Sequence, residues 1–101
     1  MNSLVQSSVF SEWLRDLKDN QGKAQILRRI SSASLGNFGD CEAVGEGVSE
    51  MRIHSGPGYR VYFIRRGTTV YVLLCGGNKK TQSKDIRLAH KMAHELKGSE
   101  R

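Results

Sequence analysis

Alternating apolar and polar residues in the middle of the chain restrict most strongly what it can fold into. Between residues 50 and 75, three runs alternate with a period of two, the side-chain period of a β-strand. Turn-forming residues join them at Ser55-Gly56-Pro57-Gly58 and at Arg66-Gly67-Thr68. Short turns between neighbouring strands predict an antiparallel sheet with one apolar face, formed by Met51, Ile53, Tyr59, Val61 and Phe63. The last run, residues 70–75, is apolar on both sides, which indicates a central strand.

Helical spacing occurs on both sides of this segment. Before it lie two apolar stripes, one following a possible cap at Ser8 and one ending at Gly36-Asn37, with a break at Asn20 and Gly22. Their members are Phe10, Trp13, Leu14 and Leu17, then Ile26, Leu27, Ile30 and Ala33. Residues 2–8 are an edge strand or a disordered segment. After the sheet, a helix is expected from about Ser83 to Leu96, with Gly98 as its stop and with Ile86, Ala89, Ala93 and Leu96 facing inward.

These patterns predict an α+β fold, in which an N-terminal helix hairpin packs on a small, mainly antiparallel β-sheet and a C-terminal helix follows. Two short helices with matching apolar stripes need a further surface to cover them, and the sheet supplies it. A chain of 101 residues has room for one core, so residues 1–101 are expected to form a single domain with a core at about 8–96.

Positive charge is concentrated in the second half of the chain. Residues 52–101 hold eleven Lys and Arg against three Asp and Glu, a balance of +8, whereas residues 1–51 hold five against seven. A basic half suggests a polyanionic partner, and nucleic acid is favoured over membrane because no long basic amphipathic helix accompanies it. A small basic protein with a solvated charged surface is the simpler alternative.

Other features point to the cytoplasm. The N-terminus lacks a charged segment followed by an apolar one, and no apolar run approaches the ~20 residues of a membrane span. Cys41 and Cys75 are far apart and form no Cys-x-x-Cys pair, which favours two reduced thiols. We therefore expect a cytoplasmic protein with no membrane contact.

A cluster of cations is the strongest candidate for chemistry. If the apolar residues face the helices, the pleat places Arg52, Arg60 and Tyr62 together on the opposite face, and Lys79 and Lys80 follow the last strand. Guanidinium and ammonium groups bind phosphate and can stabilise charge on a scissile phosphate. Structural roles are the alternative, with Arg52 paired to Glu50, and Arg60 paired to Asp85 or a backbone carbonyl.

Metal and cofactor sites are not expected. His90 and His94 stand four residues apart on the last helix, but no third ligand is evident. Gly45-Glu46-Gly47 and Gly76-Gly77 match no nucleotide-binding fingerprint. His54, at a strand end beside the cations, is a candidate acid or base because histidine titrates near neutral pH.

Several separate motifs closely resemble the phage-derived "addiction module killer" branch of the RelE/HigB-like toxins. The resemblance covers about residues 8–96, and its segments include Gly36-Asn37-Phe38-Gly39-Asp40, residues 44–53, Gly56-Pro57-Gly58-Tyr59-Arg60-Val61-Tyr62 and residues 74–82. It implies the α+β fold given above and a bacterial type II toxin. It also implies a cognate helix-turn-helix antitoxin as partner, with operator DNA bound only through the complex of the two.

The resemblance also implies a chemistry. Better-known members cleave messenger RNA on the ribosome without a metal, by attack of the 2′-hydroxyl on the neighbouring phosphate. Their active-site cations correspond to Arg60, Arg52 and Lys79 here, with Tyr62 as a fourth catalytic candidate. Lys80, Gln82 and His54 are the expected RNA-binding residues.

The acid–base residue and the activity itself stay open at this stage. Those enzymes often carry a tyrosine or histidine in the C-terminal segment, whereas residues 82–86 read Gln-Ser-Lys-Asp-Ile here. Tyr62 or His54 could substitute, or electrostatics alone could suffice. Two alternatives remain: a ParE-like inhibitor of DNA gyrase, and an inactive relative that acts with its antitoxin as a DNA-binding co-repressor.

Overall fold

The computed structural model describes residues 1–99 and confirms the α+β architecture, with three helices and one five-stranded sheet. A 3₁₀ turn, Lys79–Thr81, joins the last strand to the last helix. The elements in chain order are β1 (Ser3–Gln6), α1 (Ser8–Asp16), α2 (Asn20–Ser34), β2 (Cys41–Gly45), β3 (Val48–Ile53), β4 (Tyr59–Arg66), β5 (Val70–Asn78) and α3 (Gln82–Ser99).

The sheet order is β1-β5-β4-β3-β2. The β1 strand runs parallel to β5 and forms one edge, and every other pair is antiparallel. The expected edge strand at the N-terminus is therefore present. The β2 strand was not predicted. The β5 strand lies between β1 and β4, so its predicted place in the interior of the sheet is confirmed, although the middle of the five strands is β4.

Both faces of the sheet are covered, each by its own apolar cluster. The hairpin α1–α2 packs on the face that carries Met51, Ile53, Tyr59, Val61 and Phe63, as the alternation predicts. The other face packs against α3 through a second cluster, whose buried members are Val48, Tyr62, Ile64, Leu74, Cys75, Ala89 and Ala93. The predicted inward stripe of α3 is confirmed, but the helix runs past Gly98 to Ser99.

The two helices of the hairpin begin at side-chain caps. Ser7, one residue earlier than expected, accepts the Phe10 N–H at 3.0 Å and starts α1. Asp19 accepts the Gly22 N–H at 3.0 Å and starts α2, so Gly22 lies inside the helix instead of breaking it. The same carboxylate accepts the Tyr59 hydroxyl at 2.8 Å, which joins the hairpin to β4.

An irregularity in β5 changes which side chains reach α3. The register with β4 shifts between Tyr62 and Phe63, so Leu74 has no direct partner in β4. Leu73 joins the hairpin-side cluster, and both Leu74 and Cys75 join the α3-side cluster. The strict alternation expected for residues 70–75 is therefore interrupted by one residue.

The glycine pair at the end of β5 allows close packing on both faces. A Cβ atom on Gly76 would lie 2.8 Å from Trp13 Cδ2, and one on Gly77 would lie 2.7 Å from Thr81 Oγ1. Thr81 in turn donates its hydroxyl to the buried Asp85 at the start of α3. The pair thus has a packing role that brings α3 close against the sheet. Within residues 1–99, no helix is both long enough and apolar enough to cross a bilayer.

Candidate functional site

Four of the predicted site residues converge on one carboxylate, that of Glu50 in β3. Its Oε1 accepts Arg52 Nε at 3.1 Å, and its Oε2 accepts the Tyr62 hydroxyl at 2.9 Å and Gln82 Nε2 at 2.8 Å. Arg60 Nε lies 3.9 Å from the same Oε2. Cross-strand register explains the convergence, because Glu50 faces Tyr62 and Arg52 faces Arg60 across β3 and β4.

Glu50 is completely buried, yet its surroundings favour the ionised form. Burial by itself raises the pKa of a carboxyl group. Hydrogen bonds from Gln82, Arg52 and Tyr62, with the charge of Arg60, more than offset this effect and leave the pKa of Glu50 below its usual value. The site therefore contains a buried negative charge whose partners are supplied by β3, β4 and α3.

Arg60 is the more enclosed of the two strand arginines. Its side chain is 13% exposed, and Nη1 donates to the Gly58 carbonyl at 2.8 Å. Gly58 adopts a φ of +79°, a conformation that favours glycine, in the turn before β4. Among residues 1–99, Arg60 Nε is buried without a hydrogen-bond partner. The predicted alternative of a carbonyl partner for Arg60 is therefore present, whereas its ion-pair partner is Glu50 and not Asp85.

Arg52 lies in a mainly acidic environment. It forms ion pairs with the buried Glu50 and with Glu42 of β2, which is 57% exposed. The Glu50 hydrogen bond, followed by the charges of Glu42, Glu50 and Asp40, raises the pKa of Arg52. Arg52 thus adopts the structural pairing that the sequence offered as the alternative to phosphate binding.

Tyr62 and Gln82 also point toward Glu50. Tyr62 is fully buried in the α3-side cluster. Burial, followed by the hydrogen bond to Glu50, raises the pKa of Tyr62 well above its ordinary value. The sheet face that was expected to present these side chains openly is instead largely covered by α3.

An open cleft lies beside this buried group. Its volume is about 420 Å³, and it lies between the β3–β4 turn and the start of the 3₁₀ turn after β5. Predicted residues Arg60, Lys79 and His54 all line it, together with Ser55, Gly56, Pro57 and Gly58. Lys79 is exposed and follows directly on β5, as the sequence predicted. A second, apolar groove of about 400 Å³ lies at β1 and the C-terminal half of α3, away from these cations.

His54 is positioned at the cleft by an acidic partner. The side chain is 76% exposed, and Nε2 lies 2.7 Å from Asp40 Oδ2. The hydrogen bond to His54, with the charges of Arg52 and Arg29, keeps the pKa of Asp40 below its usual value. Arg29 of α2 donates to the Phe38 carbonyl at 2.9 Å, to the Asp40 carbonyl at 3.3 Å and to the Arg52 carbonyl, and so anchors this segment to β3.

The predicted residues thus divide into three groups. Arg60, Lys79 and His54 share the cleft, whereas Arg52, Tyr62 and Gln82 bond to Glu50. Lys80 is exposed outside the cleft lining, and its backbone N–H donates to Asn78 Oδ1 at 2.9 Å.

Sequence reasoning missed Glu50 and Asp40 as functional candidates. Glu50 lies two residues before Arg52 and therefore on the same face of the strand, and this spacing is the signal that could have indicated Glu50 as part of the site. Between residues 1 and 99, no group of three or more His, Cys, Asp or Glu side chains is arranged to hold a metal ion.

Chemically, the cleft is suited to an anion with a phosphate group. A guanidinium can bind phosphate oxygens through two hydrogen bonds, and an ammonium binds as a point charge. Only part of Arg60 is exposed, so a bound phosphate would meet a guanidinium whose position is already restricted.

Comparison with known proteins places the chain in a family. The sequence model of the family described as "Phage derived protein Gp49-like" matches residues 12–94. A protein of Haemophilus influenzae, named only as an uncharacterized protein, is 47% identical over 88 residues, which cover 87% of this chain and 89% of that protein. The chain therefore belongs to the phage-derived Gp49-like family, which is the addiction-module killer family.

Proposed function

We propose that this protein is the toxin of a type II toxin–antitoxin system and inhibits translation as a ribosome-dependent, metal-independent messenger RNA endoribonuclease. Membership of the Gp49-like family is consistent with a toxin. The observation that carries the enzymatic part is the cleft in which Arg60, Lys79 and His54 lie together. Two cations and an imidazole provide the groups that phosphodiester cleavage needs without a metal.

The proposed reaction uses the RNA as its own nucleophile. The 2′-hydroxyl oxygen attacks the neighbouring phosphorus, the bond from phosphorus to the 5′-oxygen breaks, and a 2′,3′-cyclic phosphate and a 5′-hydroxyl result. Negative charge increases on the non-bridging oxygens during this step. Arg60 and Lys79 are the cleft residues that would bind these oxygens.

His54 is the proposed proton-transfer residue. It lines the cleft, and an imidazole can accept the proton released by the 2′-hydroxyl or donate one to the departing 5′-oxygen, with water as the other proton-transfer partner. Tyr62 is less suited to this role than the sequence suggested, because its hydroxyl is buried and already donated to Glu50. We assign Tyr62, Arg52 and Gln82 to the support of the site, and Lys80 to an outer RNA contact.

The proposed partners follow from the family and from the charge. A toxin of an addiction module requires an antitoxin, and we propose a helix-turn-helix protein that carries the operator-binding function of the complex. The +8 balance of residues 52–101 suits messenger RNA and the ribosome as the polyanionic targets.

Controlled expression with mapping of messenger 5′ ends tests this proposal. Wild type should stop growth and produce new 5′ ends within coding regions, and Arg60→Ala should do neither. Arg65→Ala is the matched control, because Arg65 lies on the same strand but is exposed outside the cleft lining. Growth arrest with DNA damage and intact messengers would instead support gyrase inhibition. Unaffected growth with operator binding by the antitoxin complex would support the inactive co-repressor.

A further inference from the structure

Glu50 is a buried charge that the proposed cleavage reaction does not use directly. Its side chain has 0% exposure, and its two oxygens accept hydrogen bonds from Arg52, Tyr62 and Gln82. Removing a carboxylate from water costs free energy unless charged and hydrogen-bonding partners compensate for it. The surrounding residues provide both kinds of partner, so this group is part of an organised polar network.

The network extends to the guanidinium that lines the cleft. Arg60 Nε, on the buried side of its side chain, is 3.9 Å from Glu50 Oε2, and Nη1 donates to the Gly58 carbonyl at 2.8 Å. The negative charge of Glu50 and the carbonyl of the turn therefore restrict the guanidinium from two directions. A catalytic donor held in position before the substrate binds loses less free energy to reorganisation during the reaction.

We propose that Glu50 is a positioning residue that holds the Arg60 guanidinium in the orientation needed to bind the scissile phosphate. This inference rests on the proposed function. A role as general base is disfavoured, because the carboxylate is closed to solvent and its oxygens already accept three hydrogen bonds. Tyr62 and Gln82 act through Glu50 by restricting its Oε2 atom.

Glu50→Gln and Glu42→Gln form a matched pair for testing the proposal. Both glutamates bond to Arg52, but Glu42 is 57% exposed, and only Glu50 forms an ion pair with Arg60. Two activity readouts are needed for each folded variant: the single-turnover cleavage rate of ribosome-bound messenger, and the affinity for the same messenger with a 2′-deoxy nucleotide at the cleavage position. A third readout, the ¹⁵Nε–¹H signal of Arg60 in the free protein, does not require activity.

For Glu50→Gln we expect a loss of cleavage rate on the order of a hundredfold, as for a misplaced catalytic group, with a much smaller change in affinity. The Arg60 signal should broaden or shift strongly. Glu42→Gln should change the rate by less than about threefold, because exposed ion pairs contribute little, and should keep the Arg60 signal.

Gln82→Ala leaves the carboxylate in place but removes one of its donors. It should lower the rate by about tenfold, and it is the deciding variant if Glu50→Gln does not fold.

A folded Glu50→Gln with the wild-type rate, or with an unchanged Arg60 signal, would overturn the proposal, as would equal losses in Glu50→Gln and Glu42→Gln. If Glu50→Gln does not fold, a wild-type rate in Gln82→Ala overturns it. If the proposed function itself is wrong, the results differ: wild-type protein cleaves no messenger, and cells that express Arg60→Ala behave like cells that express wild type. In that case the positioning role is overturned as well.

Discussion

Glu50 and Arg60 show at the residue scale how burial decides the role of a charged side chain. Glu50 lies on a strand between Ser49 and Met51, where alternation alone suggests a polar face open to water. The Glu50 side chain is instead closed to solvent, because α3 covers that face. The covering involves contacts between residues far apart in sequence, such as Gln82 and Glu50, which are 32 positions apart. Local sequence could therefore predict that Arg52, Arg60 and Tyr62 share a face, but it could not predict that the face would be closed.

The lowered pKa of Glu50 predicts acid sensitivity of the fold. A carboxyl group with a lower pKa in the folded state stabilises the protein above its unfolded pKa, and that contribution is lost as the pH falls through the folded value. Glu50→Gln should therefore be less stable than wild type at about pH 6, and the difference should narrow toward about pH 3. Urea unfolding at both pH values measures it.

Other carboxyl groups titrate in the same range, including Asp19 and Asp40, whose pKa values are also lowered. The difference between wild type and variant, rather than the wild-type curve, is therefore the quantity to compare. Glu42→Gln is the control, because Glu42 is 57% exposed and exposed ion pairs contribute little to stability; this variant should stay close to wild type at both pH values. A constant difference between Glu50→Gln and wild type across this pH range would show that the Glu50 charge does not contribute as argued.

At the scale of elements, the helices and the two hairpin turns were predictable, and the departures have physical causes. Strong apolar periodicity specified α1, α2 and α3 within a few residues. The β2 strand was not predicted because Cys41–Gly45 is short and shows little alternation of apolar and polar residues. The irregularity in β5 depends on its pairing with β4, which local sequence does not encode. Because of it, the Cys75 side chain packs against α3 instead of the helix hairpin. Burial then raises the pKa of the Cys75 thiol to about 12.

The contact between β5 and α3 predicts a large effect for one glycine substitution. In Gly77→Ala, the new Cβ would lie within 2.7 Å of both Asp85 Cγ and Thr81 Oγ1, so α3 would have to move away from the sheet. We expect a loss of about 1–3 kcal/mol in the free energy of unfolding, the usual range for overpacking. Thermal or urea unfolding measures it.

Gly98→Ala is the control for this substitution, because a Cβ at Gly98 meets no atom within 4 Å among the described residues. Alanine has the higher helix propensity, so stability should stay unchanged or rise slightly. Equal stability of Gly77→Ala and wild type would contradict the close packing of α3 on β5.

At the scale of the whole molecule, positive charge is concentrated in the second half of the chain. The N-terminal half supplies the helix hairpin and a slightly acidic balance, whereas residues 52–101 supply the cleft cations and the basic balance of +8. Fields of this size increase the rate at which oppositely charged partners meet. The net charge could be read directly from the sequence, but the location of the cleft required the folded turn at residues 55–58 next to Lys79.

The positive balance of residues 52–101 predicts salt-dependent association with the antitoxin. If an acidic surface of the antitoxin binds these basic residues, the association rate constant should fall as salt rises, because screening acts over about 10 Å at moderate ionic strength. Stopped-flow measurements across salt concentrations give the slope. A rate constant independent of salt would mean that the antitoxin docks chiefly on the apolar surface of the α1–α2 hairpin.

The most direct test of the central claim is cleavage of a ribosome-bound messenger by purified protein carrying Arg60→Ala, Lys79→Ala or Arg65→Ala. Wild type and Arg65→Ala should cleave equally. Arg60→Ala should be slower by roughly a hundredfold or more, the usual loss for one transition-state donor, and Lys79→Ala should show a smaller loss. Circular dichroism should show that all three variants are folded. Cleavage by folded Arg60→Ala at the wild-type rate would contradict the assignment of the cleft as the catalytic site.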